Sequence, residues 1–385
     1  MIKMKKSSTF LDISTLKSIF VPSKVPLPGF CCIGITDSCF FKCKMCDKWK
    51  EDISVDKKFS KEPTLNMWKR FIFQLSKVVP KVKLRGKMDQ RFEINFAGGE
   101  SLTHPLTLPV VKYANSLGFR TVIPSNAYLI NDAMAKKLHD SGLSAINLSL
   151  DSLDPKIHDK FRGFDGAHEG VMKAIKALKK YNYPKAGIIS IIHNSTYAEI
   201  KDIIEWVDKH EKLDWILTMA IMQPNNTVFE SGWYEKKDFE ELWPKDKSKM
   251  IKVIEDIIEI KKDQIRQRKS GLISNEKLVN TLHQLYAFKK YFNDPEIFVK
   301  NNQPCNFDTA LQVSAVGDIY MCYHYHKLGN IHNDDFRKVW KSNNAKLIRK
   351  HILKCKTNCH ELINCYYKDE YPFSVKNETK TQKII

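Results

Sequence analysis

The sequence predicts an α/β chain, a partial (β/α)6 barrel followed by a small cysteine-rich α+β extension. Three observations carry that reading. Short apolar or β-branched runs alternate with helix-like segments between residues 30 and 222, polar residues gather directly after those runs, and a second group of cysteines crowds the C-terminal end. Alternating strands and helices mean βαβ units and a parallel sheet.

The candidate strands are Phe30 to Thr36, Phe92 to Phe96, Arg120 to Pro124, Ala145 to Leu150, Ala186 to His193 and Trp215 to Met222. The stretches between them read as helices. Leu106 to Leu117 stops at Gly118, Ala133 to Asp140 follows Asn131 and stops at Gly142, and Gly170 to Lys180 precedes Tyr181-Asn182. Polar or small residues of these types are the usual helix punctuation.

In a parallel barrel the working face lies at the C-terminal ends of the strands. The chain places its chemistry there. Cys39, Cys43 and Cys46 follow the first strand, Gly98-Gly99-Glu100 the second, Ser125-Asn126 the third, Asp151 the fourth, His193-Asn194-Ser195 the fifth and Gln223 the sixth.

Beyond the barrel, Met250, Ile254, Ile257 and Ile258, then Leu278, Leu282 and Leu285, recur at helical spacing and predict two packing helices. The expected organisation is a basic N-terminal segment over 1–24, the barrel over 25–245, a helical linker over 246–300, the cysteine-rich extension over 301–371 and a polar, disordered tail over 372–385.

A chain of 385 residues with 43% hydrophobic and 28% charged residues has the composition of an ordinary globular protein with a full-sized core. No apolar run approaches the roughly 18 residues that span a bilayer, and the basic N-terminus lacks a signal-peptide pattern, so the expected compartment is the cytoplasm, with no membrane partner. The net charge of +19 raises the question of a polyanion. The excess is overwhelmingly lysine, dispersed along the chain, whereas arginine is favoured for bidentate phosphate recognition. A solvated lysine-rich surface is the expectation, not a nucleic-acid partner.

Ten cysteines without a secretory signal read as metal ligands rather than disulfides. Cys39, Cys43 and Cys46 form a C-x3-C-x2-C array of soft ligands, suited to zinc or an iron–sulfur cluster. Four-thiolate sites are closed, whereas a [4Fe-4S] cluster held by three cysteines leaves one iron open to a ligand that is not protein. Cys31 and Cys32, adjacent in a strand, point to opposite faces and are expected to pack as small hydrophobes.

The array, with Trp49 and then Gly98-Gly99-Glu100 behind it, resembles the radical S-adenosylmethionine (radical SAM) enzymes over roughly residues 30 to 225, whose TIM-like partial barrel is the fold expected. The resemblance implies a [4Fe-4S] cluster on Cys39, Cys43 and Cys46 with S-adenosylmethionine (AdoMet) chelated at the open iron, reductive cleavage to a 5′-deoxyadenosyl radical, and hydrogen abstraction from a substrate. The cofactor carries the hard chemistry and the protein positions it. Gly98, Gly99 and Glu100 would receive the amino acid head of AdoMet, the glycines by close backbone approach and the carboxylate by a charge-assisted bond. Ser149 and Asp151 share one strand face, and by resemblance that region meets the ribose or carboxylate, Asp151 being the better candidate. The alternative is that Asp151 or Ser152 caps a helix. Asn126 and Asn194 are weaker candidates. Met45 stands where the family often has an aromatic residue against adenine. An electron donor such as flavodoxin or ferredoxin is implied.

Cys305, Gly317 and Cys322, Leu328-Gly329-Asn330-Ile331, Trp340, and Cys355, Cys359 and Cys365 resemble the auxiliary-cluster extensions called SPASM and twitch domains. Val313 to Val316 and Ile319 to Met321 read as a hairpin turning at Gly317-Asp318 that brings Cys305 and Cys322 together. Five cysteines fall short of the full seven of a SPASM domain. One second [4Fe-4S] cluster is expected, held by Cys305, Cys322 and two of Cys355, Cys359 and Cys365. Zinc, with His324, His326 or His360, is the alternative.

The function expected is radical SAM chemistry on either a peptide or protein, or a small molecule such as a sugar or amino-alcohol undergoing oxidation or epimerisation. A basic nucleic-acid-binding protein with structural zinc is the reading from another class. General acid and base residues are not assignable from the sequence.

Overall fold

The computed structural model describes residues 25–46, 49, 62–79, 91–224, 230–297, 305, 307–355 and 361–364. The expected segments 1–24 and 372–385, and the candidate ligands Cys359, His360 and Cys365, lie outside them.

Six strands alternate with helices along the first two thirds of the chain. They are β1 (Phe30–Thr36), β2 (Glu93–Gly98), β3 (Arg120–Ser125), β4 (Ala145–Ser149), β5 (Lys185–Ile192) and β6 (Leu213–Ala220). The helices are α1 (Leu65–Ser76), α2 (Thr107–Ser116), α3 (Asp132–Asp140), α4 (Pro155–Arg162), α5 (Ala167–Leu178) and α6 (Ile200–Lys209). Each of the six strands predicted for the barrel is present within two residues of its expected bounds. Consecutive strands pair in parallel. Residues Cys31, Ile33, Ile94, Phe96, Ile146, Leu148 and Ile188 point to the helix-covered side and are fully buried. There they meet the apolar stripes of the helices, such as Trp68, Phe71, Ile72 and Leu75 of α1 and Ile200, Ile203, Ile204 and Val207 of α6.

Local chemistry starts the helices where expected. The Asn131 Oδ1 accepts from the Met134 N–H at 2.9 Å, an N-cap for α3. For α4 the cap is neither Asp151 nor Ser152 but Asp154, whose side chain accepts from the Lys156 N–H at 2.8 Å with Pro155 opening the helix.

The linker is a long helix, α7 (Lys247–Lys269), and a shorter one, α8 (Leu282–Asn293), packed on each other. Leu278 departs from the expected helical pattern. It runs beside the edge strand β6 in a parallel bridge to Ile216, with the Ile216 N–H donating to Lys277 O at 2.8 Å and the Val279 N–H to Ile216 O at 3.0 Å. Unpaired edge groups of the barrel are satisfied there.

The C-terminal region contributes β7 (Ala310–Val313), β8 (Asp318–Tyr320), β9 (Gly329–Asn330), α9 (Phe336–Val339), α10 (Asn343–Ile352) and α11 (Glu361–Asn364). The hairpin is present, but its first strand begins three residues earlier than expected, because β7 pairs in parallel with β1, Phe30 opposite Ala310 and Ile33 opposite Val313. Ser314 to Gly317 then make the turn, with Gly317 at φ +82°. Among the described residues the result is one nine-stranded open sheet in the order β6-β5-β4-β3-β2-β1-β7-β8-β9. The cysteine-rich region is thus an extension of the barrel's own sheet.

Candidate active site

The loop carrying Cys39, Cys43 and Cys46 is gripped from two sides. On one side the Gly99 N–H donates to Thr36 O at 2.7 Å and the Glu100 N–H to Ser38 O at 2.9 Å. A Cβ on Gly98, which has φ +117°, would stand 2.2 Å from Thr36 O, and one on Gly99 2.1 Å from Ser38 O. The glycines are therefore required by the cysteine loop's own backbone. On the other side the Lys44 N–H donates to Phe161 O at 3.0 Å, and Gly163, at φ +60°, presses so closely that a Cβ would lie 2.2 Å from Lys42 O. Phe41 is buried between these grips and stacks on Phe164 at 4.4 Å and 11°, with Phe40 and Tyr128 edge-on around them. Such ring packing fixes the direction of the loop. The Trp49 Nε1–H donates to Cys43 O at 3.2 Å.

The three thiols border a cavity of about 200 Å3. Met45, Gly98, Gly99, Glu100, Asn126 and Ser149 line it too, so the sequence-predicted positions converge, with two exceptions, Asp151 and Asn194. Asp151 is fully buried away from the cavity. Its Oδ2 accepts from Arg162 Nε at 2.6 Å and its Oδ1 from the Ile191 N–H at 2.8 Å, and it is Arg162 that reaches the cavity wall. The group that faces the cavity is the guanidinium, not the carboxylate that holds it. Asn194 serves its loop, its Oδ1 accepting from the Lys245 N–H at 3.1 Å.

The electrostatics follow from burial. Burial raises the Glu100 carboxyl above its ordinary value, opposed by the Asn126 and Leu102 N–H groups and the Ser125 hydroxyl. Its oxygens take those donors at 2.8, 3.2 and 3.0 Å. Burial pushes the Cys43 thiol up to about 12, against the nearby Arg162 charge, with which it is hydrogen-bonded. Burial also works to raise Asp151, but Arg162 and His158 outweigh it and the carboxyl lies below its usual range. His158 and His193 are lowered to about 4, mainly by burial, and His193 stacks on Phe161 at 3.6 Å.

The residues present fit a cluster with a polar organic ligand. The donor set is three soft thiols that border a cavity, and among the described residues no three His, Cys, Asp or Glu groups converge on a single-ion position. Asn126 adds a buried side-chain Nδ2 with no hydrogen-bond partner at the cavity. A buried donor left unpaired beside a cavity fits a polar ligand bound there.

In the C-terminal region Cys305, Cys322 and Cys355 gather about Tyr325. Its hydroxyl is hydrogen-bonded to Cys355 and lies within the electrostatic reach of Cys322 and Cys305, and burial first, then these thiols, raise it far above the ordinary phenol value. His324 and His326 are exposed. Trp340 is buried with its Nε1–H on Pro26 O at 2.8 Å, and Arg349 lies 4.4 Å over its ring. Asn364 returns the chain to the barrel. Its side chain accepts from the Ala220 N–H at 3.0 Å and donates to Ala220 O at 2.7 Å, at the end of β6.

Sequence reasoning missed Arg162, Phe41 and Tyr325. Arg162 had one available signal, a cation closing the helix that follows the Asp151 strand, directly before a glycine.

A partial parallel barrel with three thiols at its C-terminal rim and a second thiol group in the region that extends the same sheet defines an iron–sulfur enzyme of the AdoMet-cleaving class. Residues 33–207 match the radical SAM superfamily and residues 305–366 match the iron–sulfur cluster-binding SPASM domain. The chain belongs to the radical SAM superfamily and carries a SPASM-type C-terminal domain; its cofactors are a [4Fe-4S] cluster, AdoMet and a further iron–sulfur cluster. Among curated proteins it is similar to an AdoMet-dependent heme synthase of Methanosarcina barkeri, 24% identical over 66% of this chain and 69% of that one. It is also similar to a PqqA peptide cyclase of Bradyrhizobium diazoefficiens, 23% identical over 50% of this chain and 45% of that one. Among solved structures, Streptococcus suis SuiB bound to S-adenosylmethionine shares the fold, with a TM-score of 0.59 at 18% identity over 94% of this chain and 78% of that one. SuiB bound to its precursor peptide SuiA gives the same TM-score at 19% identity over 94% and 76%. The family matches set aside the zinc-stabilised nucleic-acid-binding alternative. Among the described residues no helix is long and apolar enough to cross a membrane.

Proposed function

We propose that this radical SAM enzyme abstracts hydrogen from a peptide. The observation that carries the reading is the open sheet, with β6 and β9 at opposite edges, so that its concave side can receive a segment of a longer chain without enclosing the whole substrate. The similarity to a peptide cyclase and to a structure bound to its precursor peptide supports it.

Cys39, Cys43 and Cys46 would hold the cluster, leaving one iron open. When bound, that cluster with AdoMet supplies one-electron cleavage of a carbon–sulfur bond to a 5′-deoxyadenosyl radical, and the second cluster supplies an electron acceptor. Glu100, anchored by Asn126, Leu102 and Ser125, presents a fixed carboxylate to an ammonium group. Arg162 presents a cation held in place by Asp151, and the Asn126 Nδ2 offers a free donor at the same wall. Cys305 and Cys322 with two of Cys355, Cys359 and Cys365 would hold the second cluster. In this reading residues 25–245 make the radical and residues 301–371 carry the electron onward, with flavodoxin or ferredoxin as the external donor.

A second reading, a small-molecule substrate, is favoured by the match to the heme synthase, which extends over more of this chain than the match to the peptide cyclase. The test is anaerobically reconstituted, dithionite-reduced protein with AdoMet, assayed for 5′-deoxyadenosine in the presence of short peptides encoded beside the gene or of an iron porphyrin. Stimulation by a peptide, with deuterium passing from labelled peptide into 5′-deoxyadenosine, is expected. Stimulation by the porphyrin alone would overturn the peptide reading.

A further inference from the structure

The concave face of the sheet is not packed as the interior of a closed barrel is. Ala97, Pro124 and Ser149 line the cysteine cavity, so the residues in register with them share that face. Strand pairing sets Pro124 beside Asn147, Asn147 beside Gly187 and Gly187 beside Trp215 in one row, and Ser149 beside Ile189 and Ile189 beside Leu217 in the next. Ile191 and Met219 follow. Ile189, Ile191, Trp215, Leu217 and Met219 are all only partly buried, whereas their outward neighbours Ile188, Ile192, Ile216 and Ala220 are at most 1% exposed. Partly exposed apolar side chains grouped in a concavity mark a binding surface.

The floor of this trough is built. The Trp215 Nε1–H donates to Asn147 Oδ1 at 2.9 Å, and the indole crosses Gly187 so closely that a Cβ there would lie 2.1 Å from Nε1. Any larger residue at 187 would displace the ring. Below the floor the strand starts are closed by ion pairs, Glu93 with Arg120 and Lys185 with Asp214. The cations there are already engaged, Arg120 and Lys185 with those carboxylates and Lys212 with Tyr181 O at 2.8 Å, so the trough offers little to an anionic substrate group.

We propose that the β5–β6 half of the concave face is the substrate-selecting wall of the enzyme, and that it takes a neutral apolar or aromatic side chain of the peptide, seated on the Trp215–Asn147 floor and continuous through Ser149 with the AdoMet cavity. The proposal rests on the peptide reading above and sharpens it. Leu217 and Ile189 touch the side chain, Trp215 sets the depth, and the half of the rim that holds Cys39, Glu100 and Asn126 is left to the cofactors.

The experiment uses the reconstituted holoenzyme with AdoMet and measures binding of N-acetyl-phenylalaninamide, N-acetyl-leucinamide and N-acetyl-aspartamide by saturation-transfer NMR. The two apolar amides are expected to bind and the anionic one not. Leu217→Asp should weaken apolar binding by about tenfold or more, while Leu272→Asp, at an exposed residue of the linker, leaves it unchanged and thermal melting reports that both variants are folded. Equal binding of all three probes, or a folded Leu217→Asp enzyme with wild-type affinity, overturns the proposal. The two readings fail separately: apolar probes that bind this wall while no peptide stimulates 5′-deoxyadenosine would sink the peptide substrate and keep the wall. Peptide turnover that Leu217→Asp leaves untouched would sink the wall and keep the substrate.

Discussion

Arg162 Nε lies 2.6 Å from Asp151 Oδ2, in a pair that is almost wholly buried, and the same guanidinium is hydrogen-bonded to the Cys43 thiol. Removing one member of a buried ion pair leaves an uncompensated charge. Asp151→Asn is therefore expected to cost about 3 kcal/mol of stability, measured by urea denaturation of the metal-free protein. The double variant Asp151→Asn with Arg162→Met should recover part of that loss. A double variant less stable than Asp151→Asn alone would show that the pair is not what the carboxylate serves.

The two buried histidines make stability depend on pH. His158 and His193 stand at about 4 in the fold against 6.5 for an unperturbed imidazole. Between those values the unfolded chain binds more protons than the native one, so stability is complete above about pH 6.5 and falls as pH drops through 4. Each histidine carries on the order of 3 kcal/mol of this dependence. Urea midpoints of wild type and His193→Gln at pH 7.5 and 5 check it. The wild type should lose more between the two, and parallel losses would refute the assignment.

Gly163 and Gly166 separate backbone strain from close approach. Both have positive φ, but a Cβ on Gly166 meets nothing within 4 Å, whereas one on Gly163 meets Lys42 O at 2.2 Å. Alanine in the left-handed region costs about 1–2 kcal/mol by itself. Gly166→Ala should lose that much and keep its iron. Gly163→Ala should in addition disturb the cysteine loop and lower iron and sulfide content after reconstitution, read by chemical analysis and the visible spectrum. Equal iron content in the two variants would mean the loop tolerates the displacement.

Asn364 substitutes its side chain for a neighbouring strand at Ala220. Asn364→Ala forfeits both bonds and is expected to cost about 1–3 kcal/mol and to loosen the segment leading to Cys365. Its signature is loss of the second cluster's iron, followed by Mössbauer spectroscopy, while AdoMet cleavage persists. Simultaneous loss of both clusters would contradict this local role.

Most of the barrel was legible in the sequence because its strands are short runs of β-branched and apolar residues between clear helix stops, as at Gly118 and Gly142. The site was legible where residue type alone carries the chemistry, as for Cys39, Cys43, Cys46 and Glu100. Arg162 was not, because its importance comes from a buried partner eleven residues away and from the loop packed over it. The start of β7 was misjudged for a similar reason. Local pattern favoured 313 to 316, whereas pairing with β1 decides the strand, and that partner lies 280 residues earlier in the chain. Leu278 was placed on a helix face by spacing, and an unpaired edge of β6 claimed it instead.

The pairing of β7 with β1 bears on how this protein can be divided. A fragment ending before residue 301 would leave Phe30 to Ile33 without their outer neighbour, an apolar border with unpaired backbone groups ready to recruit strands from other molecules. The radical SAM part and the SPASM-type part are therefore not cassettes to be cut apart and recombined; whichever is expressed alone exposes the seam that the hydrogen-bonded ladder between β1 and β7 now closes.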